Sequence, residues 1–328
     1  MRLLKFSFLL ILLAALSCSR KNHSHTHSVV AEHSIESNTN DYFGAYVLKD
    51  HRYGTQTEVK ILRNSRLFKT NSLPNHEVGN FPNPGNPNAI SAQSLTYKLP
   101  LHPKFIGHAK ECRETGIALN GVKFEPGTAE RVICSSGETY RVEAKQELIN
   151  LGLDFNNAHV QPTGHYHYHA KPMGLVDKFD NGQDLVHIGF AMDGFPMYFS
   201  KSGKYKPSYQ MNTTKRSGNN CKYIGLGGYE IDSNFNGDQP DGTYTQDWEF
   251  IEGSGDLDAC NGITINNKYV YLVTEEYPYV GRCLNGEFKE SRHPAPPPGG
   301  MERGGQRQGR PTGNGFGRPE MGGPPPQF

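Results

Sequence analysis

The sequence predicts a mainly β fold: a Gly/Pro-rich antiparallel sandwich or barrel-like single domain with at most one or two short helices. Three observations carry that expectation. Glycine and proline are plentiful, 37 and 22 of 328 residues, which suits short strands joined by many turns. Apolar and polar residues alternate in short runs such as 57–62 and 94–99, each cut off by a Pro or Gly cluster. Helical recurrence, at spacings of three and four, marks residues 138–151 through Tyr140, Ala144, Leu148 and Leu151, and predicts a helix there. The formal net charge of +1 gives no global attraction for nucleic acid or anionic lipid. Partners are therefore sought in local sites.

The chain opens with a cationic start, Met1 to Lys5, and an apolar run from Phe6 to Leu16 that has signal-peptide length and is too short to span a bilayer. The run ends Ala14-Ala15-Leu16-Ser17-Cys18, which resembles a bacterial lipoprotein box. Residues 1–17 are thus read as a lipoprotein signal peptide and Cys18 as the lipidated residue. The expected partner is a membrane, reached through that anchor, and the expected location is the bacterial cell envelope, at the outer membrane. Ordinary cleavage near Ser17, leaving Cys18 a spare thiol, is the alternative. Residues 18–40 read as a His-rich flexible tether, in which His23, His25 and His27 stand at alternate positions. Such tracts capture Cu(II), Ni(II) or Zn(II) weakly, or serve only as solvated spacers. The β-rich domain is expected over 41–290. Residues 291–328, rich in Pro, Gly and Arg, have too little apolar surface to fold and are expected to be disordered.

Within the domain, residues 74–77 and 81–88 hold too many prolines for a helix or central strand and are expected to form an ordered loop near the histidines described below. That would make His76 a further ligand, or Glu77 a base; a surface loop histidine is the plainer outcome. Strands are expected at 185–191 and 197–200 with a turn at Asp193-Gly194, and at 268–274. Residues 232–238 place oxygen-bearing side chains at alternate positions with Gly237 sixth, as in half of an EF-hand loop. Thr243 stands where a bidentate Glu is needed, so calcium is disfavoured and a polar turn is preferred. Asp256 and Asp258 sit beside turn glycines, where they either brace backbone or face the histidines. Export permits disulfides. With Cys18 set aside, five cysteines remain, so at most two bridges form. Cys112 with Cys134 and Cys260 with Cys283 are the expected pairs, each bracketing a strand-like segment.

The stretch that concentrates chemistry is 157–169, Asn-Ala-His-Val-Gln-Pro-Thr-Gly-His-Tyr-His-Tyr-His. Alternation from 165 to 169 sends three His to one face of a strand and both Tyr to the other. Gln161-Pro162-Thr163-Gly164 has the chemistry of a tight reversal. With a three-residue loop at 162–164, Gln161 pairs with His165 and His159 lies opposite His167 on the imidazole face; a two-residue loop would place His159 on the wrong face.

Tyr166-His167-Tyr168-His169, followed by Gly189-Phe190-Ala191-Met192-Asp193-Gly194-Phe195-Pro196-Met197-Tyr198, resembles the family named for its YHYH motif. Segments 73–79, 85–88, 118–122, 126–130 and 255–262 are similar to that family's pattern as well, so the resemblance spans roughly residues 60 to 288. The family is defined by sequence, and the resemblance implies no particular reaction.

Neutral imidazole suits Zn(II), Cu(II), Ni(II) and Fe(II), and a catalytic zinc site typically has three protein ligands with one open position. His159, His167 and His169 supply three, while Asp193 is the candidate to complete the shell or to orient a histidine from outside it. The cofactor expected is a divalent transition metal, copper or zinc; a metal-free His and Tyr hydrogen-bond network is the alternative. Three functions follow. One is an extracytoplasmic lipoprotein that binds and handles copper or zinc. Another is a secreted metal-dependent hydrolase or lyase acting through a metal-bound water, with Glu77 or Asp193 as general base. The third is a carbohydrate or surface-binding module in which Tyr side chains and Trp248 stack on the ligand. No H-E-x-x-H or G-x-S-x-G motif is present, so the sequence leaves enzyme or binder open.

Overall fold

The computed structural model describes residues 36–37, 41–226 and 228–289, with side chains from residue 41 onward. The expected signal peptide, Cys18, the expected 18–40 tether with His23, His25 and His27, and residues 291–328 all fall outside the described residues except for the short strand Glu36–Ser37.

Alternation of buried and exposed positions builds the first layer. Strands Glu36–Ser37, Tyr46–Asp50, Thr55–Ile61, Ser65–Thr70 and Leu95–Pro100 form an antiparallel meander in chain order. Tyr46, Leu48, Val59, Phe68, Tyr97 and Leu99 point to one face and are essentially inaccessible to solvent, as a period of two requires. That face packs on a second sheet in one shared core, which includes Ile117, Leu119, Phe124, Tyr166, Tyr168 and Phe190. Polar contacts fix the two layers as well: Tyr46 Oη donates to Leu119 O (2.8 Å), and Thr57 Oγ1 to Asn120 O (2.7 Å). The expected sandwich is therefore present.

The second sheet runs, from one edge to the other, through Ala158–Val160, Tyr166–Tyr168, Lys123–Phe124, Gly116–Ala118, Leu185–Ala191, Pro196–Ser200, Lys268–Val273 and Gly262–Ile265. It is mixed, because Tyr166–Tyr168 pairs parallel with Lys123–Phe124 and Pro196–Ser200 parallel with Lys268–Val273. The turn expected at Asp193-Gly194 joins its two strands, with Gly194 donating to Ala191 O (2.8 Å).

A smaller sheet of Thr139–Arg141, Arg131–Ile133 and Lys222–Ile224 has its own core of Val132, Tyr140, Val142, Ile149, Leu151 and Phe235. This corrects the helix expected over 138–151. Tyr140 is buried because it pairs across a ladder with Val132. Beyond the strand, Gln146 Oε1 accepts from Leu148 and Ile149 amides and closes a turn. The helical spacing is a coincidence: Tyr140 and Leu151 pack in this satellite core, while Leu148 is exposed. The α-helix among the described residues is Met173–Phe179, which buries Leu175, Val176 and Phe179.

The disulfides are Cys260–Cys283, as expected, and Cys134–Cys221. Cys112 is not bridged, which corrects its expected pairing with Cys134. Cys134 follows the strand that lies next to Lys222–Ile224, so the neighbour across the ladder, 87 residues away, captures it. The 232–238 segment folds as successive polar turns, Asp232 Oδ1 accepting from Asn234 N and Asn234 Oδ1 from Asn236 N, while Phe235 anchors it in the satellite core.

Candidate metal centre

Local chemistry sets the hairpin on which the site is built. Gln161 N donates to His165 O (3.0 Å) and Gly164 N to Gln161 O (2.8 Å), with Gly164 at φ +80°. A left-handed residue at this position is what glycine supplies at no steric cost. The three-residue loop gives the expected register: Ala158 opposite Tyr168, His159 opposite His167, Val160 opposite Tyr166. The hairpin lies at the edge of the second sheet, and its exposed rim is covered by the proline-rich loop. Asn86 and Asn88 both donate side-chain amides to Val160 O (2.9 and 2.8 Å), occupying an acceptor that an edge strand would otherwise leave open.

His159, His167 and His169 converge. Their ring centroids lie 4.6 to 4.8 Å apart, with planes inclined by 62 to 90°. One nitrogen from each falls within 4.8 Å of the other two, an arrangement that could hold a metal ion. Each Nδ1 faces a backbone carbonyl: Leu151 O for His159 (2.8 Å), His165 O for His167 (3.2 Å) and Pro126 O for His169 (3.5 Å). A carbonyl accepts only, so each Nδ1 carries the proton and each Nε2 keeps a lone pair. His169 Nε2 is sealed from solvent and has no hydrogen-bond partner, a buried acceptor that is costly to leave alone.

Burial depresses the proton affinity of all three rings. For His167 and His169 it is pushed well below the usual imidazole range, first by loss of solvent and then by neighbouring rings and Lys123. For His159 the shift is also downward and burial leads. The rings are neutral at physiological pH, as a ligand set requires.

Beside the triad is a charged cluster that sequence reasoning missed. Lys123, the Cα partner of His167, is almost fully buried; its Nζ meets Glu125 Oε2 (2.5 Å), Glu114 Oε1 (2.9 Å) and Gln161 Oε1 (3.2 Å). Arg113 and the Gln161 amide complete Glu125. The signal was there in the alternation Val122-Lys123-Phe124-Glu125, which reads by default as a solvated strand face. On the other flank, Arg282 pairs with buried Glu143 (2.5 Å).

The two tyrosines of the hairpin point into the sandwich core, as their alternation predicts. Tyr166 Oη donates to Asp154 Oδ2 (2.7 Å). Tyr168 Oη meets His76 Nε2 (2.6 Å) and accepts from Asn120 Nδ2 (3.0 Å). His76 therefore sits on the tyrosine side of the strand, not with the triad, and its loop packs there too. Glu77 lies at the surface, paired with Arg52 (2.9 Å). Asp193 is also elsewhere. Its Oδ2 accepts from Tyr271 Oη (2.6 Å) and Gly286 N (2.9 Å), and burial pushes its carboxyl pKa up to about 6. Asp258 braces its turn, accepting from the Cys260 and Gly262 amides. Of the five ligands considered, the structure brings together the three hairpin histidines and places His76 and Asp193 apart.

Fold and site together define a β-sandwich protein with a buried trio of imidazoles able to receive a metal ion. Residues 96–286 match the family described as YHYH protein, and the chain belongs to that family. Tyr166 to His169, its naming motif, comprises the strand Tyr166–Tyr168 and the residue after it, and supplies two of the three imidazoles and both core tyrosines. Comparison with curated proteins and with solved structures gives no match.

Proposed function

We propose that this protein is a cell-envelope lipoprotein that binds and handles copper or zinc through His159, His167 and His169. The observation that carries the reading is the common arrangement of the triad: each Nδ1 is committed to a carbonyl, which leaves each Nε2 a lone pair, one of them shut off from any other partner, and one nitrogen of each ring lies within 4.8 Å of the other two. Neutral imidazoles suit either metal. The envelope location rests on the N-terminal sequence, the cationic start and apolar run before Cys18. Elemental analysis of untagged protein tests the site. Wild type is expected to retain about one equivalent of copper or zinc, a one-ion site, and the His167→Ala, His169→Ala double variant to lose it. Equal metal in both would sink the assignment, since the tether histidines are unchanged between them.

A metal-dependent hydrolase is the second reading, and one observation favours it. Among the described residues the His, Cys, Asp and Glu group at this site has three members, which leaves a coordination position for water. The bases considered from sequence are not there to serve it, since Glu77 and Asp193 are held elsewhere. Ester hydrolysis by the metal-loaded protein that disappears in the double variant would favour this reading over simple binding.

A further inference from the structure

A second site, lined by none of the triad residues, lies in a cleft between the 145–148 and 241–243 loops. Trp248 and Tyr279 form its aromatic walls, and Lys145, Gln146, Asp241 and Thr243 its polar ones. The cleft has a volume of about 520 Å³, within the range of roughly 300–1,000 Å³ that small-molecule sites occupy.

The cleft is built rather than incidental. Trp248 is stacked on buried Tyr277 with centroids 4.5 Å apart and planes 4° from parallel. Tyr277 is in turn backed by the Arg282 guanidinium at 5.1 Å. The indole is thus held flat. The opposite loop is equally fixed: Arg216 grips Asp247 through two bonds (2.8 and 2.7 Å) and Asp241 through a third (2.6 Å), and Asp247 also accepts from Gly242 N (3.1 Å). Gly242 adopts φ +90°, and a Cβ there would come within 3.2 Å of the Trp248 ring. Its bare backbone keeps the rim of the indole clear. The Trp248 N–H is buried without an acceptor, whereas a buried indole donor usually finds one. A rigid aromatic plate ringed by carboxylate, amide, hydroxyl and amine groups presents the two kinds of contact a sugar ring makes, an apolar C–H face and a rim of hydroxyls. Among the charged walls Asp241 is held by Arg216 and Lys145 is drawn over the Tyr279 ring at 4.6 Å, which leaves Glu147 as the remaining charge. Anionic sugars are therefore disfavoured.

We infer that this cleft binds neutral β-linked hexopyranose chains, whose equatorial hydroxyls leave a flat C–H face for Trp248. The site is independent of the metal reading. Trp248 is the sole tryptophan in the chain, so indole emission reports on this cleft alone. The full protein, with and without chelator, is titrated with a β-linked glucose tetrasaccharide, a β-linked N-acetylglucosamine tetrasaccharide and a uronate oligomer. A saturable emission change at roughly millimolar concentration or below is expected for at least one neutral sugar, unaffected by chelator and absent with the uronate. Calorimetry then expects about tenfold weaker binding in Trp248→Ala, with affinity largely kept in Trp248→Tyr. Should Trp248→Ala fail to fold, Asp241→Asn provides the same comparison from the opposite wall. No saturation with either neutral sugar, equal binding of the uronate, dependence on chelator, or undiminished affinity in the wall variants overturns the inference.

Discussion

Tyr168 and its two histidine neighbours show how one residue can be separated from the next by a strand's alternation alone. Its hydroxyl serves the sandwich core, where His76 Nδ1 donates to Glu77 O (2.8 Å) and its Nε2 consequently accepts from Tyr168. Tyr168→Phe would leave that Nε2 buried and unpaired, at a cost of about 1–3 kcal/mol. The metal stoichiometry should not change, because the phenol and the imidazoles lie on opposite faces. Urea denaturation and metal titration on the same preparation check both halves, and a variant that loses metal in step with stability would show the faces to be coupled. Lys123 lies on the imidazole face and has the opposite expectation. Lys123→Met strips a cation from between Glu114 and Glu125. Removing one partner of a buried pair typically costs about 3–5 kcal/mol, with Arg113 still holding Glu125 and lowering the loss toward the bottom of that range. Since Lys123 also ties down Gln161 at the start of the hairpin loop, the variant should bind metal more weakly as well as unfold more easily.

At the scale of elements, the hairpin is the part of the molecule that sequence displays best. Its register depends on four consecutive residues and a period of two, both local, and Gly164 is where that dependence can be tested. A Cβ at Gly164 would sit 2.0 Å from Ser91 Oγ and 3.1 Å from Ser91 N, in addition to the strain of φ +80°. Gly182 has φ +84° with nothing within 4 Å of an added Cβ. Gly182→Ala should thus cost only the backbone term, about 1–2 kcal/mol, and leave metal binding intact. Gly164→Ala should cost more and reduce metal affinity, because a loop that shifts by one residue turns His159 to the other face. Thermal melts of the two variants, with metal titrations alongside, make the comparison. The strands over 55–61, 95–100, 185–191 and 268–273 were legible for the same local reason. What sequence did not display is set by distance along the chain. The bridge from Cys134 goes to Cys221 because of a ladder closed 87 residues later. Leu148 and Leu151 fit a helical period although one is exposed and the other packs in a satellite core. Asp193, in a segment that resembles the family pattern, belongs to a tyrosine and backbone network at the far part of the sheet.

Among the described residues of the whole molecule, five buried or stacked histidines have their proton affinity depressed by loss of solvent, namely His76, His159, His167, His169 and His187, the last to about 3. In the unfolded chain each titrates near its ordinary value of about 6.5. Between that value and the lower folded value, the unfolded state binds protons that the folded state refuses. Stability present above pH ~6.5 is therefore lost as pH falls through it, by at most about 1.4 kcal/mol per pH unit for each group. Asp193 works in the other sense. Its folded pKa of about 6 exceeds the unfolded value of about 3.9, so the folded state holds the extra proton between these limits and gains stability as pH falls from 6 toward 4. Five groups against one leave the histidines in control, and they act first because their window opens at higher pH. The metal-free protein is expected to melt at the same temperature at pH 8 and pH 7.5, within the small change that exposed groups give, and progressively lower from pH 6.5 to pH 5. Calorimetric melts in chelator across that range check the sign, and a melting temperature that rises on acidification would mean that Asp193 or other carboxylates, not the buried imidazoles, govern the acid limb. The same series in the His167→Ala, His169→Ala variant should be shallower by the share of the two removed rings, which ties the pH response of the whole chain to the hairpin.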